Sequence, residues 1–211
     1  LAQKSRFPGI DIIEESVRHY DPDLVAVQTI GYLKKFQSTY DLAWYQPIRE
    51  RRNADPALQY TEEEFAGFDG LELYYQQELR GKNGYKRVPI DPRNMANGVA
   101  EIVPPVKGYD LHTTINKNVQ QAAEQAILDQ IEWVHHNPVS GSVHPHAKTG
   151  YAVAMEVDTG NVIVMASMPD YDTNVWQTGG VSNEVWNQIS SNYRNGTVWP
   201  YSSGRSDHDF E

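Results

Sequence analysis

Histidines are the first side chains in this chain to consider for chemistry, because imidazole nitrogens bind metals and transfer protons. They include the adjacent pair His135-His136, the spaced pair His144-x-His146 and the single residue His208. A zinc site needs three or four ligands at fixed spacing, and no histidine or carboxylate follows either pair at the helical i+4 position. Pro145 also places the second pair in a turn. The sequence therefore predicts no metal site and no cofactor.

Other charged and aromatic clusters have a binding interpretation and a simpler structural one. Glu62-Glu63-Glu64 could form a carboxylate site, but the first turn of a solvated helix is favoured, because acids there complement the helix dipole. Arg49, Arg51 and Arg52 could contact an anionic polymer, although an exposed loop is the favoured interpretation. Several aromatic side chains could stack on sugar rings, but we predict that they pack in cores or interfaces; they are Trp44, Tyr45, Tyr74, Tyr75, Trp186 and Trp199.

The composition is that of a globular protein with an uneven charge. The 211 residues are 39% hydrophobic and 22% charged, and they contain no cysteine, which excludes disulfides and thiolate metal sites. A net charge of −10 argues against a nucleic-acid partner. Residues 1–107 hold 14 Lys and Arg against 16 Asp and Glu, whereas residues 108–211 hold 4 against 12. This asymmetry predicts two units.

In the second unit, the pattern predicts a helix and a β-hairpin. Asn116 is a good N-cap for a helix whose apolar residues recur at helical spacing to Val134, before His135-His136-Asn137-Pro138 ends it. Tyr151–Val157 and Val162–Ser167 flank the turn Asp158-Thr159-Gly160-Asn161, which predicts a hairpin covered on both faces within a larger sheet. Tyr109–Ile115 alternates and predicts a strand. Ser182 is predicted to cap a last helix through Tyr193.

The first unit is predicted to contain short elements. We expect a strand over Ile10–Arg18, a helix or strand over Leu24–Leu33 and an irregular segment over Phe36–Asn53. Thr61 to Glu64 resembles a capping box that starts a helix, and Leu71–Leu79 is predicted to be a second helix. The remaining predictions are strands within Tyr85–Ile90 and Asn97–Val103, followed by a domain boundary at Pro104-Pro105.

Three groups of residues, in this order, resemble class B penicillin-binding proteins, the peptidoglycan D,D-transpeptidases, of the Bacillus-like Gram-positive type. The first is Arg18-His19-Tyr20-Asp21, which departs from the usual Arg-x-Tyr-Pro-like element at Asp21. The second resembles the pedestal motifs and includes Gly70, Glu72, Tyr74, Leu79, Gly81 and Gly84. The third resembles the start of the transpeptidase domain and includes Gly108, Thr114, Ile115, Gln120 and Glu124, then Asp158 and Gly160, with Met165–Asn174 as the sequel. Thr113 and Asn116 depart from the commonest residues.

The resemblance implies a structural role for the pedestal motifs. Arg18 is expected to pair with Glu72, and if that pair is buried, losing one partner would cost about 3–5 kcal/mol, because the other charge would be left uncompensated.

The family attacks its substrate with the serine of a Ser-x-x-Lys motif, and no serine in this chain has lysine three residues later. Lys148-Thr149-Gly150 spells another motif of the family but precedes the first core strand, so a loop lysine is favoured. Ser190-Ser191-Asn192 spells a third motif, on a predicted helix end. The family's order places the missing serine shortly after Glu211. We therefore predict no catalytic residue in this chain.

The predicted fold is α+β. Residues 1–107 are expected to form a pedestal (dimer) domain of short strands and helices, and residues 108–211 the first helix and hairpin of a transpeptidase domain. The resemblance implies a parent protein on the outer face of the bacterial membrane, anchored by a segment before this chain, that cross-links stem peptides and binds β-lactams. Partners in cell-wall synthesis would bind the pedestal. A non-catalytic extracellular scaffold and a sensor related to the β-lactam receptors are the alternatives; the pedestal motifs argue against the sensor.

Overall fold

The computed structural model describes residues 18, 20, 21, 23–50, 55–89, 101–138, 141, 147–177 and 180–193. Residues 10–17 of the predicted strand over Ile10–Arg18 lie outside these ranges, as does the predicted turn between the strand candidates Tyr85–Ile90 and Asn97–Val103. Within them, no helix is both long and apolar enough to cross a membrane.

The described part combines helices with three antiparallel strand pairs, which agrees with the predicted α+β class. Its helices are α1 (Val27–Ile30), α2 (Gln46–Glu50), α3 (Gly70–Tyr74), α4 (Gln76–Arg80), α5 (Lys117–His136) and α6 (Asn183–Tyr193). Its strands are β1 (Leu33–Lys35), β2 (Phe65–Gly67), β3 (Tyr85–Arg87), β4 (Glu101–Val103), β5 (Gly150–Met155) and β6 (Val162–Met168). Each strand pairs antiparallel with one other, as β1–β2, β3–β4 and β5–β6.

A small aromatic core holds the β1–β2 pair. Phe36 and Tyr45 are buried with Ala66 of β2, and the Phe36 ring stacks on Tyr60 with centroids 4.5 Å apart. The Tyr45 hydroxyl is fully buried and donates to the Gly67 carbonyl oxygen at 2.5 Å. The predicted irregular segment from Phe36 contains two 3₁₀ helices and α2 in its described part, because Phe36 and Tyr45 must both face this core.

The predicted helix start at Thr61 is wrong. The Thr61 N–H does donate to Glu64 Oε2 at 3.3 Å, which is one hydrogen bond of a capping box, but a turn leads directly into β2. Pairing with β1 overrides the local helical signal, since the Phe36 N–H donates to the Glu64 carbonyl oxygen at 2.7 Å. The three glutamates also bind three different cations: Arg49 pairs with Glu62, Lys35 with Glu63 and Arg80 with Glu64.

The predicted helix over Leu71–Leu79 is two short helices. α3 ends at Tyr74, and Tyr75 has φ −102° and ψ 21°, outside the helical region, before α4 begins at Gln76. The break turns Gln76 inward, where its Oε1 accepts the Gly67 N–H at 2.9 Å. A continuous helix predicted from apolar spacing alone therefore misses a break that serves a buried polar contact.

Two glycines allow the chain to cross itself between α4 and the segment after β4. A Cβ on Gly81, which has φ +76°, would lie 2.2 Å from the Val106 carbonyl oxygen. A Cβ on Gly108 would lie 2.1 Å from the carbonyl oxygen of Leu79. Both distances are far below van der Waals contact, so only glycine fits at either position.

The helix α5 and the hairpin β5–β6 agree closely with the sequence. Asn116 caps α5 by accepting from the N–H groups of Asn118 and Val119 at 3.1 and 3.3 Å, and the helix ends at His136. Gly160 takes φ +74° in the hairpin turn. The predicted strand over Tyr109–Ile115 is wrong, because that segment contains no strand. Near its end, Thr114 Oγ1 donates to the Val162 carbonyl oxygen of β6, and the following Asn116 N–H donates to that of Ile163.

The prediction that both faces of the hairpin are covered is also wrong within the described residues. Val164, Ala166 and Met168 of β6 are buried, on the side that α5 and α1 cover. On β5, by contrast, Tyr151 is 85% exposed and Val153 61%. A two-stranded hairpin has no second layer of its own to cover this face.

The predicted helix α6 begins as expected, with Ser182 Oγ accepting the Val185 N–H at 3.3 Å.

Candidate functional site: a polar junction between the two halves

Glu72 of α3 lies at the centre of a polar cluster. Arg18 Nε lies 3.1 Å from Glu72 Oε1, and Arg18 Nη2 donates to Glu72 Oε2 at 3.3 Å. The Tyr20 hydroxyl donates to Oε1, also at 3.3 Å. The ion pair between Arg18 and Glu72 that the resemblance led us to expect is therefore present, and Tyr20 of the same motif joins it.

The two ends of this ion pair differ in burial. The Arg18 side chain is 41% exposed and that of Glu72 only 8%. Burial raises the pKa of Glu72 despite the opposing effects of the Arg18 charge and the Tyr20 hydrogen bond. Burial and the neighbouring Glu72 charge raise the pKa of Tyr20, so its hydroxyl remains a donor. Removing the Arg18 side chain should therefore cost less folding stability than breaking a fully buried ion pair. Glu72 can take up a proton, so it does not remain an unpaired buried charge.

Asn174 joins this cluster to the chain that follows the hairpin. Its Oδ1 accepts the Tyr20 N–H at 3.2 Å, and its Nδ2 donates to the Tyr20 carbonyl oxygen at 3.1 Å. One carboxamide thus pairs with both backbone groups of one residue, as a neighbouring strand would. Gln177 adds a bond from its Nε2 to the Arg18 carbonyl oxygen at 2.7 Å. The backbone around residues 18–20 is thereby fixed to residues 174–177.

A second link runs from α5 to the start of α1. Glu124 is 9% exposed, and its Oε1 accepts both the Ala26 N–H and Gln120 Nε2 at 2.8 Å. Ala26 has φ 55° and ψ 41°, the left-handed region that non-glycine residues seldom adopt. The hydrogen bond to Glu124 satisfies the buried N–H of this strained residue.

Gln120 closes the free edge of β6. Its Oε1 accepts the Met165 N–H at 2.8 Å, and its Nε2 donates to the Met165 carbonyl oxygen at 3.0 Å. Two residues earlier on the same edge, the Asn116 N–H donates to the Ile163 carbonyl oxygen at 3.0 Å. The first turns of α5 therefore occupy the place of a third strand, which protects an edge that would otherwise be open to pairing.

An aromatic stack lies beside these polar links. The Trp176 ring stacks on Tyr32 with centroids 4.9 Å apart, and Tyr32 stacks on Phe68 at 5.6 Å. Lys34 Nζ lies 3.9 Å from the Trp176 ring centroid and 4.3 Å from that of Phe68. Burial lowers the pKa of Lys34. Contact of an ammonium group with ring faces offsets part of its desolvation.

The structure brings some of the motif residues together and leaves others apart. Arg18, Tyr20 and Glu72 form the cluster above, and Gly81, Leu79 and Gly108 meet at the chain crossing. Gly70 begins α3 with φ +58° and Gly84 lies against Pro105. The others lie away from both groups: Tyr74 is 67% exposed, Thr114 bonds the Val162 carbonyl oxygen, Ile115 is half-buried, and Asp158 and Gly160 form the hairpin turn. Their functional roles stay predictions.

The described histidines of α5, Lys148 and Ser190 lie outside this junction. Lys148 is exposed directly before β5, and Ser190 lies on α6. His135 Nε2 contacts the Ala147 carbonyl oxygen, and His136 Nδ1 lies 2.9 Å from that of Glu132. No group of three metal-ligating side chains occurs in the described ranges, while His144, His146 and His208 lie outside them.

The junction can hold chain segments together, and its polar side chains are occupied in doing so. Its carboxylates, amides, phenol and guanidinium bind one another or backbone groups. Sequence reasoning did not single out Lys34, Asn174 or Trp176 as parts of a site. Asn174 was the last residue of Met165–Asn174, the segment after the hairpin that resembled the family. This resemblance was the sequence feature that could have indicated a role for Asn174. Trp176 and Lys34 gave none, because a ring stack between distant segments leaves no pattern in the sequence.

The fold matches the N-terminal portion of class B penicillin-binding proteins. Residues 1–113 match the family described as Penicillin-binding Protein dimerisation domain, and the chain belongs to that family. It is 28% identical over 184 residues to the peptidoglycan D,D-transpeptidase MrdA of Escherichia coli K12, covering 87% of this chain and 25% of that protein. It is 32% identical over 142 residues to stage V sporulation protein D of Bacillus subtilis 168, covering 64% of this chain and 19% of that protein.

A solved structure of a peptidoglycan synthase complex shares the fold. It is 23% identical, with a TM-score of 0.55, and the alignment covers 82% of this chain and 27% of that one. The chain spans about a quarter of the length of the first relatives that it matches.

Proposed function

We propose that this chain is the pedestal domain of a class B penicillin-binding protein, residues 1–107, joined to the first helix and hairpin of its transpeptidase domain, residues 108–211. The observation that carries the proposal is the continuous alignment with a D,D-transpeptidase over 184 residues, which extends well beyond the 113 residues of the dimerisation family. Relatives from both kinds of bacteria match, MrdA of Escherichia coli at 28% identity over 184 residues and stage V sporulation protein D of Bacillus subtilis at 32% over 142 residues, so the Gram-positive type rests on the sequence motifs alone.

The role of the chain in this proposal is structural. Asn174, Gln177 and Glu124 bond the backbone of Tyr20, Arg18 and Ala26, respectively, and Trp176 stacks on Tyr32. These contacts hold the pedestal against the helix and hairpin on which a catalytic sheet is built. The parent protein cross-links peptidoglycan stem peptides through an acyl-serine intermediate, binds β-lactams at that serine, and lies on the outer face of the membrane behind an N-terminal anchor. Partners in cell-wall synthesis bind its pedestal; a solved structure with the same fold comes from a peptidoglycan synthase complex.

A fluorescent penicillin tests the proposal. We expect it to label the full-length gene product covalently at a serine beyond residue 211, and to leave a protein of residues 1–211 unlabelled, because no Ser-x-x-Lys occurs in this sequence. Labelling of residues 1–211 would contradict the missing nucleophile. A full-length product that takes no label but still captures cell-wall synthesis proteins would favour the non-catalytic scaffold.

A further inference from the structure

The ribbon formed by β3 and β4 has one face that is turned to solvent. Lys86 lies opposite Ile102 in this pair, and Lys82 forms an isolated antiparallel bridge with Val106. The two pairs belong to the same strand register, four residues apart. Side chains alternate between the faces of a strand, and exposure alternates along residues 81–86, so both pairs lie on the same side of the ribbon. Val88 lies two residues beyond Lys86 and so on the same side. Together these residues are called the ribbon face.

The ribbon face combines cations with exposed aliphatic side chains. Ile102 is 71% exposed, Val106 58% and Val88 39%, and both lysines are exposed. The ribbon's acidic residue, Glu101, pairs with Arg87 on the opposite side, with Arg87 Nη1 3.3 Å from Glu101 Oε2. A strand face with two cations and no acid is unexpected in a chain of net charge −10.

Within the described part of the chain, this face of the ribbon is exposed. β3 and β4 pack mainly on each other. The ribbon is fixed at its base, where the Asn83 N–H donates to the Ala57 carbonyl oxygen at 2.8 Å and Asn83 Nδ2 donates to the Gln59 carbonyl oxygen at 2.6 Å. Asn83 is half-buried, in contrast with its exposed neighbour Lys82. The side of the ribbon that carries Asn83 is therefore bonded to residues 57–59, and the side that carries Lys82 and Lys86 is exposed to solvent.

We propose that the ribbon face docks on the surface of an anionic phospholipid bilayer. Lysines beside aliphatic side chains suit the headgroup region, because their apolar stems lie along the acyl boundary while the ammonium groups reach the phosphates. A protein partner is the weaker interpretation, since lysine is depleted at protein interfaces whereas arginine is enriched. Here the arginine of the ribbon is on the other side and is already paired.

The test is flotation of residues 1–211 with vesicles. We expect binding to vesicles of phosphatidylglycerol and phosphatidylcholine in equal parts, and little binding to phosphatidylcholine alone. Lys86→Gln should weaken binding about fivefold, the effect of about 1 kcal/mol per cation near a charged surface. Ile102→Ser should also weaken it. Neither change should alter the melting temperature, because both side chains are exposed.

Arg87→Gln is the matched control, since it removes the same charge from the adjacent residue on the opposite side and should bind like the unchanged chain. Equal loss in the Lys86 and Arg87 variants would show a response to net charge alone and overturn the proposal. Failure to bind anionic vesicles would also overturn it. So would a Lys86→Gln variant that binds vesicles normally but no longer binds an acidic protein. Because vesicle binding and penicillin labelling are separate readouts, this proposal can fail while the proposed function stands.

Discussion

At the scale of single residues, the junction depends on polar side chains that are buried and fully used. Gln120 is inaccessible to solvent, Glu124 nearly so, and Asn174 pairs with both backbone groups of Tyr20. Each satisfies backbone groups that would otherwise lose their hydrogen bonds, at a typical cost of about 1–3 kcal/mol per buried group. Apolar periodicity cannot identify such positions. On α5 it selected Ala122 and Ala126, which are exposed, while Gln120 and Glu124 face the hairpin.

The raised pKa of Glu72 makes a pH-dependent prediction. Because its folded-state pKa lies above the unfolded value, its contribution to stability is greatest at low pH and is lost as the pH rises through the folded pKa. Lowering the pH from neutral should therefore raise the free energy of unfolding of the unchanged protein relative to Glu72→Gln. The gain is about 1.4 kcal/mol for each unit by which the two pKa values differ.

Denaturant unfolding of both proteins across that pH range measures this difference. Asp170, whose pKa burial also raises, is present in both and cancels to first order. The free energy of unfolding of the unchanged protein minus that of Glu72→Gln should grow as the pH falls. If this difference stays constant or shrinks, burial does not raise the pKa of Glu72.

At the scale of elements, the sequence predicted best where local signals and long-range packing agree. Helix α5 has an N-cap, an apolar stripe and a proline after its end, and the hairpin has a glycine turn between two apolar runs. The predictions failed where a distant partner decides the structure. Residues 61–64 have the sequence of a helix start, but the Glu64 carbonyl oxygen accepts the N–H of Phe36, directly after β1. The Tyr109–Ile115 segment alternates like a strand, yet the edge it would join is taken by the Gln120 side chain.

The crossing of the chain at Gly81 and Gly108 predicts a large effect for a small change. Gly108→Ala places a methyl group 2.1 Å from the Leu79 carbonyl oxygen, so the backbone must move, and the free energy of unfolding should fall by at least about 1–3 kcal/mol. Thermal unfolding measures the loss. Gly180→Ala is the control, because its Cβ would meet nothing within 4 Å. Equal stability of the two variants would show that the close approach at Gly108 is not maintained.

At the scale of the whole molecule, two segments far apart in sequence form one packed unit. Contacts from residues 18–34 reach Glu124, Pro169, Asn174 and Trp176 across the domain boundary predicted from the sequence. The sequence indicated two units from composition and charge, and the resemblance indicated their identity. Neither could indicate how the units are fastened, because pairing between a carboxamide and a distant backbone group depends on three-dimensional register alone.

Native-state hydrogen exchange on residues 1–211 tests this fastening most directly. The Tyr20, Ala26 and Met165 amides donate to Asn174, Glu124 and Gln120, respectively. If the junction joins both halves into one cooperative unit, these three amides should share one opening free energy and one dependence on denaturant. Exchange of Tyr20 and Ala26 through a smaller opening, with Met165 still protected, would show that the halves separate independently and would contradict the account.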